Sequence, residues 1–301
     1  MKQKIVIFGA GQAGLAAKKN LQSEYQVLAF CDNDPAKANT LLENLPVIAP
    51  QNLVTTDFDL VMIASEYFEQ IYQQLVDVLA IPTTRIRVLS ASQIKSFHFG
   101  DNTEDRQMAE RVLMALCAVF RANKIKYYID AGTLLGIYRD DALIPWDDDL
   151  DFAIPSEAIE LIIRQKTSIL MALKRASGVP WQCTEYQANQ DFGLVKKGDT
   201  RCFKLAPQQA TSKLPLIDLF VKYCNQSTMD YVISSRGFSM PARHMHTLAK
   251  HHFREQDIFI PSDVEDYLTA HYGDWRTPKP NWSLDDIQSS QVFSSFNDEV
   301  G

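Results

Sequence analysis

Apolar runs of four to six residues punctuate the first ninety positions. Lys4-Ile5-Val6-Ile7-Phe8, Gln26-Val27-Leu28-Ala29-Phe30-Cys31, Leu60-Val61-Met62-Ile63-Ala64 and the run from Arg85 to Leu89 predict short buried strands. Between them, one helix is predicted from the Gly-rich turn after Phe8 to about Leu21. Another is predicted over 66–79, where Phe68, Ile71, Tyr72, Leu75 and Val78 fall near helical spacing. Strands alternating with helices predict a parallel sheet. A polar stretch over 90–103, with Gly100 and Asp101-Asn102 as breakers, places a boundary near residue 100 and divides the chain into domains 1–100 and 101–301. Beyond it a helix is predicted over 104–123, with Val112, Leu113, Leu116, Val119 and Phe120 on one side. A strand follows over 126–130, a short helix beginning at Gly132, a helix over 157–174, and paired strands over 181–186 and 192–196.

The first turn carries chemistry. Gly9-Ala10-Gly11-Gln12-Ala13-Gly14 leaves a strand and opens a helix, the context that a dinucleotide fingerprint requires. Gly9 permits the tight turn, Gly11 lets a phosphate approach the backbone, and Gly14 lets helix and strand pack closely. Asp32, at the end of the second strand, stands where a ribose-binding acid belongs. A purely conformational role for the glycines, with no ligand, is the competing reading. The Tyr and Lys one helical turn apart that short-chain oxidoreductases use are missing after Tyr67 and Tyr72. Binding of a nucleotide or sugar nucleotide, or an oligomer contact, therefore fits this half better than redox chemistry. With Phe30-Cys31-Asp32-Asn33-Asp34-Pro35 and Leu45-Pro46-Val47-Ile48, it resembles the small Rossmann-like nucleotide-binding domains attached to surface-polysaccharide enzymes.

The second half holds the strongest signal. Pro145-Trp146-Asp147-Asp148-Asp149-Leu150-Asp151-Phe152-Ala153-Ile154 packs four carboxylates into five positions and runs straight into an apolar strand. Alternate side chains of a strand share a face, so Asp149 and Asp151 point the same way. Two carboxylates about 4 Å apart repel by roughly 4 kcal/mol at an effective dielectric near 20. A hard divalent cation with oxygen ligands removes that repulsion. Asp218 interrupts another apolar run, Leu216-Ile217-Asp218-Leu219-Phe220, and an Asp in such a strand needs a partner. Gly132 and Thr133 open a helix whose first amides can cradle a phosphate. Arg139 offers a fork for phosphate, or else a salt bridge to Asp140 or Asp141. Lys196, Lys197, Arg201 and Lys204 are further cations for an anionic donor. His244, His246, His251 and His252 fit no common zinc spacing.

Asp130-Ala131-Gly132-Thr133-Leu134-Leu135-Gly136 with Arg139, then Ile144 to Asp151, then Leu216 to Phe220 resembles the signature of the LicD family. That family comprises phosphocholine and other phospho-alcohol transferases of bacterial surface glycans together with the eukaryotic fukutin group. Pro261, Tyr267-Leu268 and Tyr272-Gly273-Asp274-Trp275 resemble its C-terminal part, and the resemblance covers roughly 103–282. It implies an α/β chain in which the N-terminal Rossmann-like parallel-sheet domain precedes a C-terminal α+β nucleotidyltransferase-like domain. It implies phosphotransfer from a CDP-linked donor to a hydroxyl of a surface glycan or its precursor, with Mg2+ (or Mn2+) as cofactor. Asp149, Asp151 and Asp218 are then the catalytic and metal-binding residues, and Gly132, Thr133, Arg139, Asp148 and Lys204 the substrate-binding ones. In the N-terminal domain Gly9, Gly11, Gly14 and Asp32 form the site for a nucleotide or sugar nucleotide. Release of pyrophosphate by a nucleotidyltransferase, and glycosyl transfer through Asp-x-Asp, are the alternatives.

Bulk properties narrow the partners. A net charge of -7 argues against nucleic acid, which needs clustered Lys and Arg. It also argues against a polybasic membrane anchor. The five cysteines are odd in number, scattered and mostly in apolar surroundings, which reads as reduced thiols. With neither a signal-peptide layout nor an apolar run of membrane-spanning length, the expectation is a cytoplasmic protein. A lipid-linked glycan acceptor at the inner membrane face, and a homo-oligomer, stay open.

Overall fold

The computed structural model describes residues 2–65, 67–95, 98–100, 102–208, 213–233, 236–279 and 290–292. The chain folds as two units, one within Met1–Ser96 and one within Phe97–Val292.

In the first unit the elements run β1 (Lys4–Phe8), α1 (Gln12–Leu21), β2 (Gln26–Cys31), β3 (Leu41–Leu42), β4 (Leu45–Ile48), β5 (Leu60–Ile63), α2 (Phe68–Gln73), β6 (Ile86–Val88) and α3 (Ala91–Ile94). They build one sheet in the order β3-β4-β2-β1-β5-β6. All neighbours are parallel except the β3–β4 pair. Counting the parallel strands alone gives 3-2-1-4-5, the order of a Rossmann-like sheet, with the order reversing between β1 and β5. Alternation places Val6 and Phe8 in one core and Ile5 and Ile7 in the other, so the sheet is covered on both faces. The helix predicted over 66–79 is α2 followed by a single π turn, Gln74–Val78.

The second unit continues with α4 (Thr103–Ala122), β7 (Tyr128–Ile129), α5 (Ala131–Asp140), β8 (Asp149–Pro155), α6 (Ile159–Ser177), β9 (Trp181–Gln187), β10 (Thr200–Pro207), β11 (Leu216–Cys224), β12 (Thr228–Ile233), β13 (Arg236–Pro241), α7 (Arg243–His246), β14 (Leu248–Phe253), β15 (Gln256–Pro261), α8 (Val264–Tyr272) and β16 (Ser290–Val292). Strand β11 is the hub of a mixed sheet. It lies parallel to β8 and antiparallel to β10, while its end pairs with β12. Helix α4 buries Val112, Leu113, Leu116 and Phe120 in the core of this unit, the stripe expected from helical spacing.

One predicted pairing is corrected. β9 pairs with β10, not with 192–196. The latter stretch is a loop in which Phe192 and Val195 form an isolated bridge. Gly193 there has φ +53°, and the Asp230 carboxylate accepts the Leu194 N–H at 2.9 Å. A left-handed residue and a buried carboxylate thus hold the segment as a loop.

Candidate active site

Register decides which carboxylates meet. In the parallel β8–β11 pair, Asp149 lies opposite Leu216 and Asp151 opposite Asp218. Across the other edge of β11, Asp218 lies opposite Lys204. Asp151, Asp218 and Lys204 therefore form a row across three strands, and Asp149 shares the face of Asp151 two residues away. Ligand-capable oxygens of Asp149, Asp151 and Asp218 all lie within 4.8 Å of one another. Asp151 and Asp218 are buried. Lys204 Nζ stands 3.5 Å from Asp218 Oδ2 and supplies one countercharge. Asp147, Asp148 and Asp149 form an adjoining group of the same span.

Helix α5 begins beside this cluster. The Asp130 carboxylate caps it by accepting the Ala131 N–H at 2.8 Å. Ala131 has φ +43°, a left-handed conformation in which a Cβ is strained. The first turn clasps Asp151 from both sides. Asp130 N–H donates to the Asp151 carbonyl at 3.0 Å, and Asp151 N–H donates to Thr133 Oγ1 at 2.9 Å. Gly132 lets the helix start lie close to the acids: a Cβ would overlap Asp147 Oδ2, so that side chain would have to move, and would come within 3.9 Å of Asp151 Oδ2.

Beneath the cluster lies a buried polar network. Lys222, on β11 four residues after Asp218, is fully buried, with Nζ 2.9 Å from Asp130 Oδ2 and 3.1 Å from the centroid of the Tyr231 ring. Tyr267 Oη donates to the other Asp130 oxygen, and Tyr231 Oη lies 2.8 Å from His271 Nε2. Burial works to raise the Asp130 pKa, but Lys222, His271 and Tyr267 outweigh it and hold the carboxyl below its usual range. Burial lowers the Lys222 pKa, with Asp130 pulling the other way. Burial also pushes His271 down to about 4, against the pull of Asp130.

Arg139 is not brought to the cluster. It sits in the last turn of α5, away from the end that holds Gly132 and Thr133. Its side chain pairs with Asp140 at 2.7 Å and donates to the Trp275 carbonyl at 3.1 Å. Lys196 pairs with Asp191 at 3.5 Å on an exposed loop, and the buried Arg201 lies over the Tyr186 ring. Of the four histidines, His244 is buried with Nδ1 2.8 Å from Asp263 Oδ1. Arg243 bridges Asp263 and Asp266 and meets the need of those carboxylates for a cation.

In the first unit the Gly-rich turn sits at the end of β1, at the reversal of strand order. A Cβ on Gly9 (φ +122°) would overlap the Ala64 carbonyl, and one on Gly14 would overlap the Gly9 carbonyl. A Cβ on Gly11 meets nothing within 4 Å. Packing therefore explains Gly9 and Gly14 but not Gly11. Asp32 accepts hydrogen bonds from Ala10 N–H at 2.8 Å, Asp34 N–H at 2.9 Å and Lys37 Nζ at 2.9 Å. Burial works to raise its pKa, but those donors outweigh it and hold the carboxyl below its usual range. The acid thus braces the Gly-rich turn.

Residues 124–263 match the family model described as LicD/FKTN/FKRP, nucleotidyltransferase domain. This match lies within the second unit, which is thus similar to a LicD-type nucleotidyltransferase domain. Residues 1–87 match the model described as C2185-like, N-terminal. Ribitol-5-phosphate transferase FKTN of Mus musculus is 24% identical over 216 residues, which cover 67% of this chain and 42% of the mouse protein. An uncharacterized protein of Rickettsia typhi is 38% identical over 74 residues, 24% of this chain and 23% of its own. The chain thus spans less than half the length of either relative. Among solved structures, UDP-D-quinovosamine 4-dehydrogenase from Vibrio fischeri is 26% identical over 29% of this chain and 76% of its own, at a TM-score of 0.24. The LicD-type match spans β8 and β11, which bear the acidic cluster, and α5, which begins beside it.

Two residues of this domain escaped the sequence reading. Lys222 is a charge inside the apolar run of β11, and that was its only signal. Asp147 was one member of an acidic run; its approach to Gly132 appears only in three dimensions.

Proposed function

We propose that the LicD-type domain transfers a phospho-alcohol group from a CDP-linked donor to a hydroxyl of a cell-surface glycan or its precursor. The observation that carries this is the convergence of Asp149, Asp151 and Asp218 beside the first turn of α5. The donor set is all oxygen, partly buried and rich in negative charge, which fits a hard divalent cation such as Mg2+ or Mn2+. Asp149, Asp151 and Asp218 would hold it. When bound, such an ion neutralises charge on the diphosphate as the nucleotide leaves. Gly132 and Thr133, at the helix start, receive phosphate oxygens on backbone N–H groups. Asp148 and Lys204 flank the donor, Lys204 turning from Asp218 toward phosphate. Asp218 would either complete the ligand set of the ion or take the proton of the acceptor hydroxyl, as the new P–O bond forms and the bond to the departing CMP breaks. Phosphoryl transfer is mostly positioning and charge stabilisation, so no covalent nucleophile is required.

The first unit, in this reading, binds a nucleotide or sugar nucleotide with its phosphate against Gly11. No helix among the described residues is long and apolar enough to cross a membrane. A thermal-shift screen of CDP-alcohols and sugar nucleotides with Mg2+ tests the donor class. The reading expects a CDP-alcohol to raise Tm in the wild type and not in Asp151→Asn. A shift that Asp151→Asn retains in full contradicts the assignment of the donor to the acidic cluster.

A further inference from the structure

The buried Lys222–Asp130 pair does not explain itself through stability. Both side chains are almost wholly removed from water. Desolvating two ions commonly offsets their attraction, and apolar replacements of similar volume are often as stable or more so. The pair lies where it can act on the acidic cluster. Asp130 makes four contacts of consequence. One carboxylate oxygen takes Lys222. The other takes Tyr267 and the Ala131 N–H. Its backbone N–H holds the Asp151 carbonyl. Immediately after it, Ala131 is held in a left-handed conformation, and Thr133 then accepts the Asp151 N–H. Strain of that kind persists only where the surroundings over-determine the backbone.

We propose that Lys222 and Asp130 form a positioning pair: Lys222 fixes the Asp130 carboxylate, and Asp130 sets the first turn of α5 and, through it, the placement of Asp151 in the acidic cluster. Neither touches the donor or the ion. The inference rests on the reading of Asp149, Asp151 and Asp218 as a cation site. Groups that orient metal ligands from outside typically change affinity by about 10- to 100-fold when removed.

The test is the double variant Lys222→Met/Asp130→Asn, compared with wild type and with Asp130→Asn alone. The double change leaves the net charge unaltered, and Asn still caps a helix. Mn2+ affinity is followed by electron paramagnetic resonance, and Tm by calorimetry, on the full chain. The expected result is a double variant with Tm at or above that of wild type and Mn2+ binding weaker by at least about 10-fold. Lost charge cannot account for such a fall, and neither can lost stability. If the double variant unfolds, the comparison moves to Lys222→Gln/Asp130→Asn, which keeps a polar group beside residue 130, with the same expectation. Wild-type Mn2+ affinity in a folded double variant overturns the positioning role and leaves the cation site standing. Failure of the wild type itself to bind Mn2+ overturns the cation site and this inference with it.

Discussion

Replacing Gly132 with Ala separates stability from function at the helix start. The substitution places a Cβ roughly 1 Å inside ordinary contact distance of Asp147 Oδ2. Asp147 is half-buried, and its carboxylate can swing aside, so the backbone need not move. Ala in place of Gly inside a helix stabilises by up to about 1 kcal/mol. The two effects oppose, and the net change in stability falls within about 1 kcal/mol, a shift of roughly 2–4 °C in Tm for a unit of this size. Function responds differently. Asp147 Oδ1 accepts the Asp148 N–H at 3.1 Å, so displacing Asp147 disturbs the neighbouring acids. A misplacement of about 1 Å in a positioned site reduces turnover on the order of 10²-fold. Gly136, one turn along the same helix, is the internal comparison. A Cβ there lies 2.6 Å from the Ala142 carbonyl and 2.9 Å from Ile144 N, both backbone. Gly136→Ala should therefore lower Tm clearly. CMP release and calorimetric Tm, measured on both variants, decide the matter. Turnover of Gly132→Ala within threefold of wild type would refute the argument that the helix start must approach the acids this closely.

Two further outcomes follow from the structure. Gly11→Val should fold with an unchanged Tm and lose nucleotide binding in the first unit, since the space beside Gly11 is open, whereas Gly14→Ala should be destabilised; equal nucleotide affinity in wild type and Gly11→Val, by calorimetric titration, counts against phosphate binding at this turn. His271 is held neutral in the fold down to about pH 4, below its ordinary value of 6.5. Between those values the unfolded chain binds a proton that the folded chain does not, so stability is full above pH 6.5 and falls toward pH 4, by about 3 kcal/mol in all. Urea titrations at pH 7 and 5 should show a steeper loss in wild type than in His271→Phe; parallel losses exclude His271 as the cause.

The acidic cluster was legible in the sequence because strand alternation is a strong constraint: once Asp149 and Asp151 share a face, their meeting with Asp218 needs only the parallel register of β8 and β11. The Gly-rich turn was legible as a turn joining β1 to α1, where Gly9 and Gly14 meet backbone that no Cβ could approach. What the sequence does not show turns on tertiary contacts. Arg139 had the right chemistry, but helical geometry carries it to the far end of α5, where Asp140 and the Trp275 carbonyl take its donors. The 192–196 stretch has the short apolar run of a strand, yet Asp230 and a left-handed Gly193 hold it as a loop. Asp32 occupies the position of a ribose acid and hydrogen-bonds the turn itself. Lys222 was passed over because one charge in an apolar strand does not reveal its partner, which lies 92 positions earlier in the chain.

The measurement that bears most directly on the account is phosphorus NMR of the purified protein with Mg2+, a CDP-alcohol and a glycan acceptor, run in parallel with Asp151→Asn. The account predicts that the wild type converts the diphosphate signals into CMP and a new phosphodiester. It predicts that Asp151→Asn, still folded, does so slower by at least about 10²-fold, the scale of losing one preorganised electrostatic contact. Pyrophosphate formed from CTP in place of CMP formed from the CDP-alcohol, or turnover by Asp151→Asn equal to that of wild type, contradicts it.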